Sequence, residues 1–377
     1  MIYLDNPATS FKKPAAVYQA IYQNTVNCSV NAGRGGHWAS IRGAAGIAEA
    51  QEMLADFFGI QNPERIAFTH NATYALNMAI SGLLSRTDHV IITSMEHNSV
   101  LRPIHRLCSY TIVEADEFGR VAPEDIERAI RKNTKLIATT HASNVCGTIM
   151  PVYEIGKICK KHNIPYLLDC AQTAGIIPID AEMMNVSLLA FSGHKGLMGP
   201  LGTGGLFVDK KIKLFPLIVG GTGTESKNKY QPKTMPDMLH SGTANTPGIM
   251  ALSAAVGYIK SVGIEEIENR EKELAMRLFA ELKNIDGVKV YGLFQGERNG
   301  TVCFNVGDMD SQEVADILDS EFKIAVRGGF HCAYLAHQTI GTAEQGAVRA
   351  GFGAFSTPRE CDALLDAVNR IAKNGYK

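Results

Sequence analysis

Residues 188–205 read Leu-Leu-Ala-Phe-Ser-Gly-His-Lys-Gly-Leu-Met-Gly-Pro-Leu-Gly-Thr-Gly-Gly. The opening apolar run predicts a buried strand, and the glycine-rich segment behind it predicts a loop at that strand's carboxyl end. Lys195 lies in this loop among apolar and small neighbours, whereas a solvated lysine usually lies on a polar helical face. Desolvation in such a setting lowers a lysine pKa and leaves a nucleophilic amine. An incidental surface lysine in a glycine-rich turn is the alternative interpretation.

Upstream of this loop, short apolar runs alternate with helix-like stretches from residue 65 to about residue 208. The runs that predict buried strands are 66–69, 90–93, 136–140, 166–168 and 188–191, and helices are predicted at 73–84, 123–131 and 152–162. Such alternation indicates an α/β fold with a mainly parallel sheet covered by helices on both faces. Ligands of such sheets bind beyond the carboxyl ends of the strands, where Asp169, Ser192 and His194 fall.

After about Gly242 the pattern changes to a smaller α+β set. Its predicted helices are 247–260, 265–283, 312–320 and 358–372, and its predicted strands are 289–291, 301–305 and 348–352. The first dozen residues are expected to pack against this set. We therefore predict a large domain at 15–245 and a small domain made of 1–14 and 246–377.

Composition and charge exclude several classes of function. The chain has 377 residues, and its 37 basic and 38 acidic residues give a formal net charge of −1, so no nucleic-acid or membrane surface is predicted. No apolar run approaches the roughly 20 residues of a membrane-spanning helix, and no export signal is visible. The eight cysteines form no Cys-x-x-Cys pair, which favours reduced thiols in a cytoplasm and no metal site.

Several strand ends carry residues suited to a phosphorylated pyridine ring. Asp169 ends a buried strand, where a carboxylate could keep a ring nitrogen protonated; a helix N-cap is the alternative. The segment Asn71-Ala72-Thr73 lies between a strand and a helix and could bind a phosphate, with Ser192 and His194 as further donors. His97 could stack on the ring, although a lone histidine after a strand is more often structural.

Together these residues resemble the class V aminotransferase family of pyridoxal-phosphate enzymes, most closely its cysteine desulfurase and selenocysteine lyase group. The motifs follow the family's order over essentially the whole chain, starting with YLDNPAT at residues 3–9. The resemblance implies a fold type I transferase with a seven-stranded sheet and a homodimer. It also implies that Lys195 forms the Schiff base with the cofactor and that Thr243 reaches the cofactor phosphate of the neighbouring subunit. The other implied cofactor contacts are Ala72, Thr73, His97, Asn144, Asp169, Gln172, Ser192 and His194.

Two further segments narrow the reaction that the resemblance implies. Arg327-Gly-Gly-Phe-His-Cys332 resembles the desulfurase loop that carries the sulfur-accepting cysteine, and we expect Arg327 and His331 to be positive neighbours that favour the Cys332 thiolate. Arg349 matches the arginine that binds the substrate carboxylate. Residues 31–37 resemble the substrate-side loop, which places His37, together with Arg34, at the entrance.

The chain departs from the commonest pattern near the cysteine. Phe330 replaces the first of two consecutive histidines, Ser356 replaces an asparagine, and the Tyr-Leu-Ala-His-Gln segment that follows Ala333 lacks the usual proline. These differences bear on rate, partner protein and substrate preference, while the cofactor residues match.

The resemblance implies conversion of L-cysteine to L-alanine, with catalysis by Lys195, Cys332 and His97, and with Asn144, Arg349 and His37 as substrate contacts. The sulfur would remain as a persulfide on Cys332 for a protein acceptor, for iron–sulfur cluster or thio-cofactor assembly. Three alternatives stay open: a selenocysteine lyase acting on L-selenocysteine, an aminotransferase, and a non-catalytic regulator that binds the cofactor. The regulator class usually appends a DNA-binding domain, and no such extension is visible.

Overall fold

The computed structural model describes residues 1–33, 35–294 and 296–374. The strands are β1 (Ile2–Tyr3), β2 (Ile66–Thr69), β3 (His89–Thr93), β4 (Ser109–Val113), β5 (Thr134–Thr140), β6 (Tyr166–Asp169), β7 (Leu188–Ser192), β8 (Gly204–Val208), β9 (Val288–Tyr291), β10 (Thr301–Val306), β11 (Ile324–Ala325) and β12 (Val348–Gly351). The helices are α1 (Ala15–Cys28), α2 (Trp38–Phe57), α3 (Ala72–Leu83), α4 (Asn98–Leu107), α5 (Pro123–Arg128), α6 (Val152–His162), α7 (Thr246–Val262), α8 (Ile264–Leu282), α9 (Ser311–Phe322), α10 (Tyr334–Thr339) and α11 (Pro358–Asn374).

A seven-stranded sheet in the order β2-β8-β7-β6-β5-β3-β4 forms the centre of the molecule. Strand β8 runs antiparallel to both neighbours, and the other adjacent pairs are parallel. Alternate residues of β7 enter different cores: Leu189 and Phe191 pack on one face, and Leu188 and Ala190 on the other. A sheet buried on both faces requires continuous apolar strands. The predicted α/β fold with a mainly parallel sheet is confirmed.

Two strands of this sheet were not predicted. Strand β4 is the edge strand, with a partly exposed Ser-Tyr-Thr-Ile-Val sequence that lacks a buried apolar run. Strand β8 starts with two glycines, which read as loop in the sequence. A side chain at Gly205 would meet the Phe191 ring at 2.3 Å, so the close approach of β8 to β7 needs a glycine there.

The strands that run in the same direction bring their carboxyl ends to one edge of the sheet. Asp169 at the end of β6 pairs with Thr140 of β5 and Ala190 of β7. The loops after β3, β5, β6 and β7 and the amino end of α3 therefore meet at this edge. Asn71 begins α3 as its N-cap, since its Oδ1 accepts a hydrogen bond from the Tyr74 amide at 3.0 Å.

The smaller part of the molecule is built on the antiparallel sheet β12-β10-β9, with α8, α9 and α11 packed on it. Strand β1 pairs in parallel with β11, and Leu4 is buried in the same core as Phe304 and Leu364. Residues 2–6 therefore pack against this part as expected, whereas Thr9 and Ser10 hydrogen-bond to the His194 carbonyl beside the large sheet. Helix α7 packs on α1 and α2 and reaches the core of the large sheet through Leu252 and Val256. The domain bounds 15–245 and 246–377 stay a prediction.

Among the described residues, no single helix has both the length and the apolar composition to cross a bilayer, although α7 and α8 meet those two criteria together as a pair bent by 80°.

Candidate active site

Lys195 follows β7 and is half-buried. Burial lowers the pKa of its amine to about 8; the Asp169 carboxylate opposes this shift, and the Arg349 guanidinium adds to it. An amine with this pKa has a substantial neutral fraction near pH 7, as a nucleophile and proton acceptor requires. An incidental surface lysine does not fit this environment.

Asp169 is almost fully buried at the end of β6. One carboxylate oxygen accepts a hydrogen bond from the Ala171 amide at 2.9 Å, and the other makes none within the described part of the chain. Burial raises the pKa of Asp169, and the Ala171 hydrogen bond and the Lys195 charge oppose that rise. The structure thus places Asp169 and Lys195, which were both predicted at the carboxyl ends of strands, within electrostatic reach of each other.

The amino end of α3 lies beside the loop after β7. The Ala72 amide donates to Ser192 Oγ at 3.1 Å, and His194 Nδ1 lies 3.1 Å from Thr9 Oγ1. Burial lowers the pKa of His194 to about 4, so its ring is neutral at pH 7. Helix-end amides, hydroxyls and a neutral imidazole N–H form a donor set that suits a phosphate.

His97 is the N-cap of α4, and its Nδ1 accepts a hydrogen bond from the Ser99 amide at 3.0 Å. Ser99 Oγ lies 2.9 Å from the same nitrogen and 2.8 Å from Thr73 Oγ1, which links His97 to the start of α3. Burial, together with the nearby Lys195 charge, lowers the pKa of His97 to about 4. The structural role as a cap and the predicted role as a neutral stacking ring are therefore compatible.

Arg349 is buried on β12 with its guanidinium directed at two partners. Its Nη2 donates to Asp5 Oδ1 at 2.7 Å and its Nη1 donates to the Asn144 carbonyl at 2.9 Å, while Nε has no partner among the described residues. Asp5 was not predicted as a site residue; it lies within the YLDNPAT segment, which was the available signal. The Asn144 side chain instead donates from Nδ2 to the His331 carbonyl at 2.7 Å.

Cys332 lies on an exposed turn before α10, as predicted, and the other cysteines are buried or half-buried. Its carbonyl accepts a hydrogen bond from the Asn98 amide, next to His97, at 2.8 Å. Through this bond and through Asn144, the cysteine loop is joined to the His97 and Arg349 parts of the site. The expectation that His331 is a positive neighbour is wrong, because burial lowers its pKa well below the usual value and leaves the ring neutral.

The remaining predicted site residues are His37, Arg34, Thr243 and Gln172. His37 is exposed as the N-cap of α2, where its Nδ1 accepts a 3.4 Å hydrogen bond from the Ser40 amide, and Arg34 lies outside the described residues. Thr243 is exposed between β8 and α7, and its expected contact is with another subunit. Gln172 is buried and donates from Nε2 to the Pro7 carbonyl at 3.0 Å, which leaves its Oε1 for other donors.

Sequence reasoning missed two buried titratable residues behind Asp169. Burial raises the pKa of Glu96 to about 8, even though Thr93 Oγ1 and the Thr140 amide donate to its Oε1. Burial lowers the pKa of His141 to about 4, and the His141 amide donates to the Asp169 carbonyl. Both side chains are therefore mainly neutral at pH 7, so Glu96 adds little negative charge beside Asp169. No local pattern predicts this, because burial is the largest cause of both shifts.

Comparisons with known proteins agree with this geometry. The family model "Aminotransferase class-V" matches residues 2–364. A protein of Methanothermobacter thermautotrophicus described as a probable cysteine desulfurase is 35% identical, over 99% of this chain and 95% of its own length. A cysteine desulfurase of Haloferax volcanii is 30% identical, over 98% and 89%. The apo structure of the Thermococcus onnurineus cysteine desulfurase superposes with a TM-score of 0.92 at 33% identity, over 99% of this chain and 94% of that one. The chain therefore belongs to the class V aminotransferase family, and within it to the cysteine desulfurase group.

Proposed function

We propose that this chain is a pyridoxal-phosphate-dependent cysteine desulfurase, which converts L-cysteine to L-alanine and leaves the sulfur as a persulfide on Cys332. The observation that carries the proposal is the position of an exposed cysteine. Asn144 links the loop of this cysteine to Arg349 at the same sheet edge as Lys195, because the Asn144 side chain donates to the His331 carbonyl and the Asn144 carbonyl accepts from Arg349. An aminotransferase would not need a nucleophilic thiol there.

The residues at this edge fit the cofactor. The amino end of α3, Ser192 and His194 would hold its phosphate, and the free oxygen of Asp169 would bind its ring nitrogen. The neutral ring of His97 would cover one face. Bound there, pyridoxal phosphate supplies an aldehyde that condenses with an amine and a protonated ring that accepts electrons from the substrate Cα.

The side chains of this chain bind and orient the substrate. The Arg349 guanidinium is positioned to grip the carboxylate, and its orientation is fixed by Asp5 and the Asn144 carbonyl. Lys195 Nζ takes the proton from Cα, since its lowered pKa gives it a neutral fraction at pH 7.

The Cys332 thiolate then attacks the substrate sulfur. A sulfur–sulfur bond forms and the bond between sulfur and Cβ breaks; Cβ keeps the electron pair and takes a proton, so that L-alanine leaves. The two sulfur atoms are oxidised and Cβ is reduced, so the step needs no external oxidant or reductant. Because Cys332 is exposed, the persulfide can be passed on to an acceptor protein.

Incubation of the cofactor-loaded protein with L-cysteine and a thiol reductant tests the proposal, with alanine and sulfide measured together. We expect equal amounts of both and no requirement for a keto acid, and we expect neither from Lys195→Ala. Alanine that needs a keto acid and comes without sulfide would indicate an aminotransferase. Turnover of L-selenocysteine but not of L-cysteine would indicate a selenocysteine lyase.

The proposal includes a homodimer in the cytoplasm that supplies sulfur for iron–sulfur cluster or thio-cofactor assembly. Support for the dimer comes from α1, where Tyr18, Tyr22 and Val26 repeat every four residues and are more than half exposed. Residues with this spacing share one helix face. Trp38 and Ile41 near the start of α2 are exposed as well. Exposed apolar side chains of this kind mark a protein interface.

A further inference from the structure

The turn that carries Cys332 has an unfavourable backbone conformation, which its surroundings must stabilise. His331 and Cys332 have φ values of 50° and 57°, and the preceding Gly329 has a φ of 94°. Only glycine adopts this left-handed region freely, so two consecutive residues with side chains need interactions that stabilise it. The position of the thiol therefore depends on what lies behind the turn.

A chain of buried side chains lies directly behind it. His331 Nε2 is 3.1 Å from the Arg327 carbonyl, and His331 Nδ1 is 3.2 Å from His337 Nε2. His337 Nδ1 is in turn 2.7 Å from Thr342 Oγ1. His331, His337 and Thr342 are each at most 3% exposed. This chain connects the cysteine turn to the far end of α10.

One arrangement of protons satisfies every atom of this chain. A carbonyl only accepts, so His331 Nε2 carries a proton and donates it to Arg327. The neutral His331 ring then accepts at Nδ1 from the Nε2–H of His337, whose own Nδ1 accepts from the Thr342 hydroxyl. Burial lowers the pKa of both rings, that of His337 to about 4, which agrees with two neutral imidazoles.

We propose, on the basis of the proposed function, that His337 is a positioning residue for Cys332. Its imidazole, held by Thr342, fixes His331 and thereby the left-handed turn that presents the Cys332 thiol to the substrate sulfur. Its Nε2 supplies the donor for His331 Nδ1. His337 does not touch the reacting atoms in this role. It lies in the Tyr-Leu-Ala-His-Gln segment where the chain departs from the commonest family pattern.

Two further hydrogen bonds hold the backbone of the turn. Asn144 Nδ2 holds the His331 carbonyl, and the Asn98 amide holds the Cys332 carbonyl. Neither fixes the His331 ring. The Phe330 and His337 rings pack edge to face, with ring centroids 5.5 Å apart. Loss of the His337 donor should therefore leave the loop folded but let the thiol move.

The test separates sulfur transfer from the earlier steps in the cofactor-loaded protein. The variant His337→Phe keeps an aromatic side chain, with a ring somewhat larger than imidazole, and removes the side-chain hydrogen bonds. We expect the kcat for alanine formation to fall roughly 10- to 100-fold, as for a reacting group misplaced by about 1 Å. The KM for L-cysteine should stay within about twofold, because Arg349 binds the carboxylate. Exchange of the α-proton of L-alanine with solvent deuterium, which needs Lys195 but no thiol, should proceed at the wild-type rate.

Two further variants keep the test decisive. His337→Gln offers an amide donor near the position of Nε2 and should recover most of the lost kcat, and Thr342→Val should cause a smaller loss than His337→Phe. The matched control His105→Phe makes the same change at an exposed histidine near the carboxyl end of α4, the helix whose amino end is capped by His97. An unchanged kcat in His337→Phe would overturn the proposal. An equal loss of α-proton exchange and sulfur transfer in His337→Phe and His337→Gln would overturn it too, because it would show a general structural role. A wild-type protein without desulfurase activity would refute the proposed function instead.

Discussion

The neutral fraction of Lys195 gives a prediction that can be measured on the cofactor-free protein. An ordinary lysine with a pKa of 10.5 is roughly 0.03% neutral at pH 7, whereas a pKa of about 8 gives roughly 10%, a ~300-fold increase. Because burial disfavours the charged form, the neutral form of Lys195 should appear as the pH rises through about 8.

Competitive labelling with trace acetic anhydride between pH 6 and pH 11 measures this midpoint, using the mass of the peptide that contains Lys195 and a free model amine as the standard. We expect a midpoint near 8. Asp169→Asn removes the carboxylate that opposes the shift, so its midpoint should lie lower still. A Lys195 midpoint at 10 or above would refute the reasoning, since it would mean that water solvates the amine as it does a surface lysine.

Three other predictions concern the proposed reaction and assembly. Cys332→Ala should retain cofactor and α-proton exchange but form alanine from L-cysteine roughly 10³-fold more slowly or worse, because no other group replaces the thiolate. In the wild-type protein, mass mapping after one turnover should find the extra sulfur on Cys332 and not on the buried Cys170. Arg349→Lys loses the two-pronged grip on the carboxylate and should raise the KM roughly 10- to 100-fold, whereas an unchanged KM would place the carboxylate elsewhere. Light scattering should give twice the 40.8 kDa chain mass, and Thr243→Ala should weaken cofactor binding; a fully active monomer would contradict both expectations.

The sequence could predict the parts of the site that depend on local order. Strands buried on both faces must be continuously apolar, so β3, β5, β6 and β7 were recognisable, and the polar residues just after them had to meet at one edge of the sheet. Lys195 and Asp169 were therefore expected together from strand ends alone, and the structure places them within electrostatic reach of each other. The loop that carries Cys332 was recognisable from the family resemblance of residues 327–332.

The sequence could not predict what depends on approach between distant segments or on burial. Asp5 and Arg349 are 344 residues apart, and the pairing of the N-terminal strand β1 with β11 brings this part of the chain to Arg349. The antiparallel strand β8 could not be predicted, because glycines are typical of loops. In the structure, Gly205 is what allows β8 to approach Phe191.

The charge states of the site residues also depend on the tertiary structure and not on the sequence alone. The sequence identifies His331 and Glu96 as titratable residues, and their usual pKa values suggest a partly charged histidine and an ionised glutamate. The tertiary structure decides otherwise, because it removes both side chains from water and leaves them mainly neutral at pH 7. Local patterns thus determined which chemical groups reach the active edge, and packing decided their charge and their hydrogen-bond partners, because desolvation depends on everything that surrounds a side chain.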